Sequence, residues 1–235
     1  MAWTTYWIPI AAVAVAMLAT LWLPHRFPAW PWRAAGVVLG VALVVCEVSW
    51  WVKLLGQRPW QAATGLPFQL CDLTAWVAAA ALFWRRDVLA ELTWFWGVGG
   101  AIPALFLPIR GGGWPSWFYV EYYVLHGGLI VAALLFAGAY HLRLRRHSVR
   151  RAIAITSLLA IAMGIVDAFG NANYLYLRAV PAVAGPLLRF AVWPWYLPAL
   201  VTVGVLAIVL LGWPLRERPV DQEHTSTYAG SSGVA

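Results

Sequence analysis

The sequence predicts an all-α membrane protein: a bundle of about seven transmembrane helices, N-terminus out and C-terminus in. Three observations predict it. Of the 235 residues, 63% are hydrophobic and 11% charged, against about 45–50% and about 25% in a soluble domain. Seven apolar stretches approach the roughly 20 residues that cross a bilayer. The basic residues collect in alternate connectors between those stretches.

The first stretch, 5–23, has no basic residues before it; Arg26 and Arg33 follow it. It reads as a retained helix with its start outside rather than a cleaved signal. The second, 34–52, carries Cys46 and Glu47. The third, 66–84, opens with LPFQLCDLTAW, where Pro67 suits a first helical turn. The fourth, 88–108, holds Gly97, Gly99 and Gly100, and the fifth, 118–140, holds Gly127 and Gly128. These are places where helix backbones can approach closely. The sixth and seventh are 152–170 and 190–213. Pro103 in the fourth, and Pro194 and Pro198 in the seventh, are expected to kink their helices. Between the last two, 171–189 is apolar but broken by Pro181 and Pro186, as an interfacial or re-entrant segment would be. The helical domain is read as 1–213, and 214–235 as a polar, disordered cytoplasmic tail.

Lysine and arginine set the orientation. One side holds Arg26, Arg33, Arg85, Arg86, Arg143, Arg145, Arg146, Arg150, Arg151, Arg216 and Arg218; the other holds only Lys53, Arg58, Arg110, Arg178 and Arg189. The richer side is expected in the cytoplasm. The net charge of +7 therefore reads as topology signal and headgroup contact. No run alternates basic and aromatic residues as a nucleic-acid site would. Lys53 is the single lysine and lies outside every stretch, which excludes an intramembrane Schiff base. Many of the 17 tryptophans fall near segment ends, where indoles anchor at the interface.

Glu47, Asp72, Glu121, His126 and Asp167 come from four stretches and fall in the same outer half. Charged groups inside a membrane are costly and face one another or a wet cavity. One polar pocket is the expectation. Gln69 and Asp72 lie three apart and share a face; Cys71 is about 100° round. A thiol is a strong nucleophile only as thiolate, and the alternative for Cys71 is a small buried hydrophobe. Tyr119, Tyr122 and Tyr123 precede His126 on one stripe. His126, alone among the histidines, falls inside a stretch; it suits a general base or proton relay, or else an interhelical hydrogen bond. Asp167, Asn171 and Asn173 could bind a lipid headgroup or cap the sixth helix. Glu91 lies apart, with Arg85 or Arg86 as expected partner. A disulfide between Cys46 and Cys71 is open on spacing alone. There is no G-x-S-x-G, H-E-x-x-H or phosphate loop; carboxylates at the outer mouth leave a metal open, but nothing in their spacing singles one out, and no cofactor is expected.

The runs LPFQLCDL, WFWGVGGAIPALFLP, FYVEYYVLHGGLIVAALL, NANYLYL and WPWYLP, in order across about residues 60–200, resemble the YwaF-type family of bacterial integral membrane proteins. The resemblance implies a multi-helix bundle in the bacterial plasma membrane. It also implies a distant similarity to eukaryotic transmembrane proteins that transfer acyl groups to ether phospholipids. The residues matching the family's motif are Cys71, Asp72, His126 and Asn173. The chain departs from the pattern at Gln69, usually His, and the eukaryotic relatives' cysteine aligns nearer Phe68 than Cys71. The expectation is lipid acyl transfer or hydrolysis at the outer leaflet. His126 would be base, Cys71 nucleophile and Asp72 the group that orients His126. Asn173, Gln69, Tyr122, Tyr123, Asp167, Glu121 and Glu47 would line the pocket, and membrane lipids would be the partners. The competing expectations are a proton-coupled transporter, with the acids and His126 as relay, and a non-catalytic lipid-binding factor.

Overall fold

A computed structural model describes residues 3–28, 30–106, 113–180 and 192–216. The helices are α1 (Trp3–Arg26), α2 (Trp32–Leu55), the single turn α3 (Ala62–Gly65), α4 (Leu70–Trp84), α5 (Asp87–Phe106), α6 (Trp117–Gly138), α7 (Ser148–Gly170) and α8 (Tyr196–Gly212), with a 3₁₀ turn at Tyr174–Tyr176. Among the described residues there is no β-strand, only an isolated bridge between Leu144 and Arg216. Seven helices match the seven apolar stretches. Five are long and apolar enough to cross a membrane; α4 and α8, with 15 and 17 residues, are shorter. The chain is a multi-pass membrane protein.

The most buried helix is α6, with α1, α2, α4 and α5 packed around it. Its inward side chains, Leu125, Leu129, Ile130 and Ala133, are wholly enclosed. Peripheral α7 and α8 pack on each other and on α5, and they present Leu158, Ile161, Ile165, Val203 and Leu210 outward. Outward apolar faces are what a bilayer solvates, so they mark lipid contact rather than poor packing.

Contacts at the two ends show that the chain alternates sides. At one end the Tyr140 hydroxyl donates to the Trp32 carbonyl, Arg85 stacks 3.6 Å from the Tyr140 ring, Arg145 pairs with Asp87, and Leu144 N–H donates to the Leu215 carbonyl. This is the arginine-rich end. At the other end Trp117 donates to Ser49, Tyr6 to the Phe106 carbonyl and Leu66 N–H to the Tyr174 hydroxyl. Among the described residues, the connectors fall between the apolar stretches.

Several local expectations are corrected. Pro67 lies before α4, whose cap is Gln69: its N–H donates to Asp72 Oδ2 at 3.0 Å, as half of a capping box. Pro194 precedes α8 and Pro198 sits in its first turn, where a missing N–H breaks no intrahelical bond, so neither kinks it. Gly97 makes a true close approach: a Cβ there would stand 2.9 Å from the Leu129 carbonyl oxygen. At Gly99 and Gly100 it would meet only ordinary contacts at 3.5 Å. No disulfide joins Cys46 and Cys71. The expected re-entrant segment, 171–189, opens as an irregular loop with one 3₁₀ turn; 181–191 and the tail from 217 lie outside the described residues.

Candidate functional site

All five ionisable residues of the apolar stretches are buried: Glu47, Asp72, Glu121 and Asp167 are 0% exposed and His126 3%. All lie toward the end opposite the arginines. The structure sorts them into two groups rather than one ring.

The first group closes the mouth between α4 and the loop after α7. Gln69 Oε1 accepts from Leu175 N–H at 3.1 Å, and its Nε2 donates to the Asn173 carbonyl at 3.3 Å. Asn173 folds its own loop: Oδ1 accepts from the N–H groups of Arg178 and Ala179 at 2.9 Å, and Nδ2 donates to the Ala179 carbonyl at 2.8 Å. Asp167 Oδ1 accepts from Tyr174 N–H at 2.8 Å, while Oδ2 has no hydrogen-bond partner among the described residues. Asn171 ends α7 in the left-handed conformation (φ 49°), its N–H donating to the Asp167 carbonyl. Asparagine tolerates that region better than most residues. Arg178, which the sequence reading did not single out, clamps this corner: its guanidinium donates to the Asp167 carbonyl at 3.0 Å and to Asn171 Oδ1 at 2.9 Å. Burial pushes the Tyr174 phenol above its ordinary range, and the Asp167 and Asp72 carboxylates push the same way against the Leu66 N–H. Tyr174 is a neutral hydroxyl at pH 7.

The second group lies on α2 and α6, with Glu47 and Glu121 at their contact and His126 on the side of α6 that faces α5. Ring contact of Trp50 with Phe118, and the approach of Leu43 to Gly128, set these antiparallel helices in register. That register brings Glu47 level with the turn containing Glu121 and Tyr122. Glu47 Oε1 accepts from Trp51 at 2.8 Å, and Cys46, its neighbour in α2, is 2% exposed. Cys46 is thus the cysteine of the acid pair, whereas Cys71 is half-buried at the edge of the core. Tyr122 donates to the Ala104 carbonyl at 2.6 Å and lies 4.2 Å, ring to ring, from His126. His126 Nδ1 is 2.7 Å from the Tyr122 carbonyl oxygen. A carbonyl only accepts, so Nδ1 carries a proton, and Nε2 is the nitrogen at which the ring gains or loses one. Tyr123, on the same stripe, turns its hydroxyl away toward α1 and finds no hydrogen-bond partner among the described residues.

No three His, Cys, Asp or Glu side chains among the described residues converge as a metal site would require. Glu91, at the arginine-rich end, is held by Arg151 and Ser148 rather than by Arg85 or Arg86. The arrangement holds the His126 imidazole by Nδ1 a few turns below a hydrogen-bonded mouth, with the Glu47 and Glu121 carboxylates buried on the α2 side of the same bundle.

Compared with known proteins, residues 1–212 match the family model described as the TMEM164 family. No curated protein matches the chain, and no solved structure matches it.

Proposed function

The chain belongs to the TMEM164 family, a family of membrane proteins, and from that premise we propose that it transfers or hydrolyses acyl groups of membrane lipids at the acid-bearing face. The observation that carries the reading is His126: buried, with Nδ1 held at the Tyr122 carbonyl, so that Nε2 is the nitrogen that would exchange a proton. The nucleophile is the Cys71 thiol or a water. Its proton passes to Nε2 as it attacks the ester carbonyl carbon. The ester C–O bond breaks, and the departing lipid oxygen takes the proton back from the imidazolium. With Cys71 the acyl group rests on sulfur before moving to a second lipid hydroxyl; with water it leaves as a fatty acid. Asp72 lies on the capping turn of α4 and, in this reading, balances the imidazolium charge across the α4–α6 contact. Gln69, Asp167 and Asn173 shape the mouth, and Glu47 and Glu121 keep the interior polar. The YwaF-type likeness and the bacterial plasma membrane belong to the same reading, with the acid-bearing face outward.

The test is turnover by the purified chain in vesicles of labelled diacyl phosphatidylcholine. Wild type releases or transfers the label, and His126→Ala lowers the rate by about 10²-fold or more, the usual worth of a general base. An His126→Ala variant as active as wild type sinks the assignment.

A further inference from the structure

On the side of α6 turned toward α1 runs a groove of about 790 Å³, lined by residues that include Pro9, Ala12, Val13, Val124 and Gly127. Among the described residues no charged side chain lines it. It follows α1 from Thr5 to Ala16 and α6 from Tyr119 to Val131, about 17 Å at 1.5 Å per residue. One leaflet of a roughly 30 Å hydrocarbon core is about 15 Å deep. The groove has the length of one lipid tail lying parallel to the helices.

Its polar feature is singular. Tyr6, Tyr119 and Tyr123 gather near the acid-bearing end. The first two hydroxyls donate to backbone carbonyls, of Phe106 and Thr5. The third, on Tyr123, is 6% exposed, lines the groove and has no hydrogen-bond partner among the described residues. A buried hydroxyl without a partner bears its full desolvation penalty. A lone water is a poor remedy, because buried waters hold two to four polar partners and the groove beside this phenol is apolar. A carbonyl oxygen at the head of an apolar chain fits both features.

We propose that this groove holds one acyl chain of a membrane glycerolipid, whose ester carbonyl accepts the Tyr123 hydroxyl. Of the groove-lining residues of α6, Val120, Val124, Gly127 and Val131 centre roughly 130° round the helix from His126, and Tyr123 lies about 60° from it on the α1 side. The bound lipid is therefore a resident of the α1–α6 seam, distinct from the lipid that meets His126, and the proposal does not depend on turnover there.

The experiment loads the purified full chain from vesicles containing equal diester and diether phosphatidylcholine of one chain length, and counts retained lipid by native mass spectrometry. An ether linkage lacks the carbonyl. Wild type retains the diester form about fivefold over the diether, the worth of one hydrogen bond. Tyr123→Phe stays folded, because its hydroxyl serves no protein partner, and retains the two forms equally. Ala12→Trp fills the groove and retains neither. His126→Ala keeps the ester preference, so this proposal and the catalytic one fail separately. Equal retention by wild type, an ester preference surviving Tyr123→Phe, or undiminished lipid on Ala12→Trp each overturns it.

Discussion

Arg151 and Glu91 show how one pair can matter in a bundle with few charges. Glu91 is 2% exposed, and its two oxygens are met by Ser148 and Arg151 at 2.8 and 2.5 Å. The pair ties α5 to α7, a helix with few other buried contacts. Arg151→Gln leaves a buried carboxylate with one donor and lowers stability by about 2 kcal/mol. Arg145→Gln, whose pair with Asp87 is mostly exposed, changes it by less than about 0.5 kcal/mol. Thermal unfolding in detergent measures both, and equal losses would contradict the assignment. At this scale the sequence was half legible. It identified every buried acid, because a charge inside an apolar run stands out whatever its partner. It did not identify partners: Glu91 bonds residues nearly 60 positions away rather than the nearby arginines, a tertiary fact with no local signal. Arg178 was missed for the converse reason. It lies in a connector and reads as solvated, yet its guanidinium holds the end of α7.

Helix boundaries followed the same logic. Apolar length located all seven helices, six to within about four residues and α8 starting six residues later than expected, since a bilayer leaves the backbone few alternatives. The caps were less visible. Gln69 looked like a site residue on the Asp72 face, and it is also the cap of α4 and a stitch to the loop at 173–175. Its departure from the family pattern therefore falls on a structural joint as well as near the candidate chemistry. Glycine patterning was informative only at close approaches. The Gly97 approach to Leu129 holds α5 against α6, and α6 carries His126. Gly97→Val forces a side chain into a backbone carbonyl, separates the two helices and costs about 1–3 kcal/mol. Gly99→Ala, where the added methyl meets ordinary contacts, is close to neutral. Thermal stability of the two variants decides; a tolerated Gly97→Val would mean that the helices are held elsewhere.

For the whole molecule, the sequence reading of one polar ring resolves into a mouth and an interior. Five residues at similar depth need not share a face: Asp72 and Asp167 sit near helix termini, where they also satisfy backbone N–H groups, Glu47 and Glu121 lie at the α2–α6 contact, and His126 is on the side of α6 toward α5. The arginine-rich connectors converge on the opposite end, so charge is polarised along the bundle axis. With that end in the cytoplasm, a cysteine placed at Gly113 reacts with a membrane-impermeant thiol reagent in intact cells, and one placed at His141 reacts only after lysis. The reverse pattern would turn the candidate site toward the cytoplasmic leaflet.

The central claim is covalent lipid chemistry at His126. The most direct measurement is comparative lipidomics of cells producing wild type, His126→Ala and Cys71→Ala at matched levels. The account predicts a lipid class that changes with wild type and reverts with His126→Ala. Reversion with Cys71→Ala as well assigns the thiol as nucleophile; persistence there assigns water. A lipid profile identical in all strains, with the wild-type chain folded and in the membrane, would contradict the account.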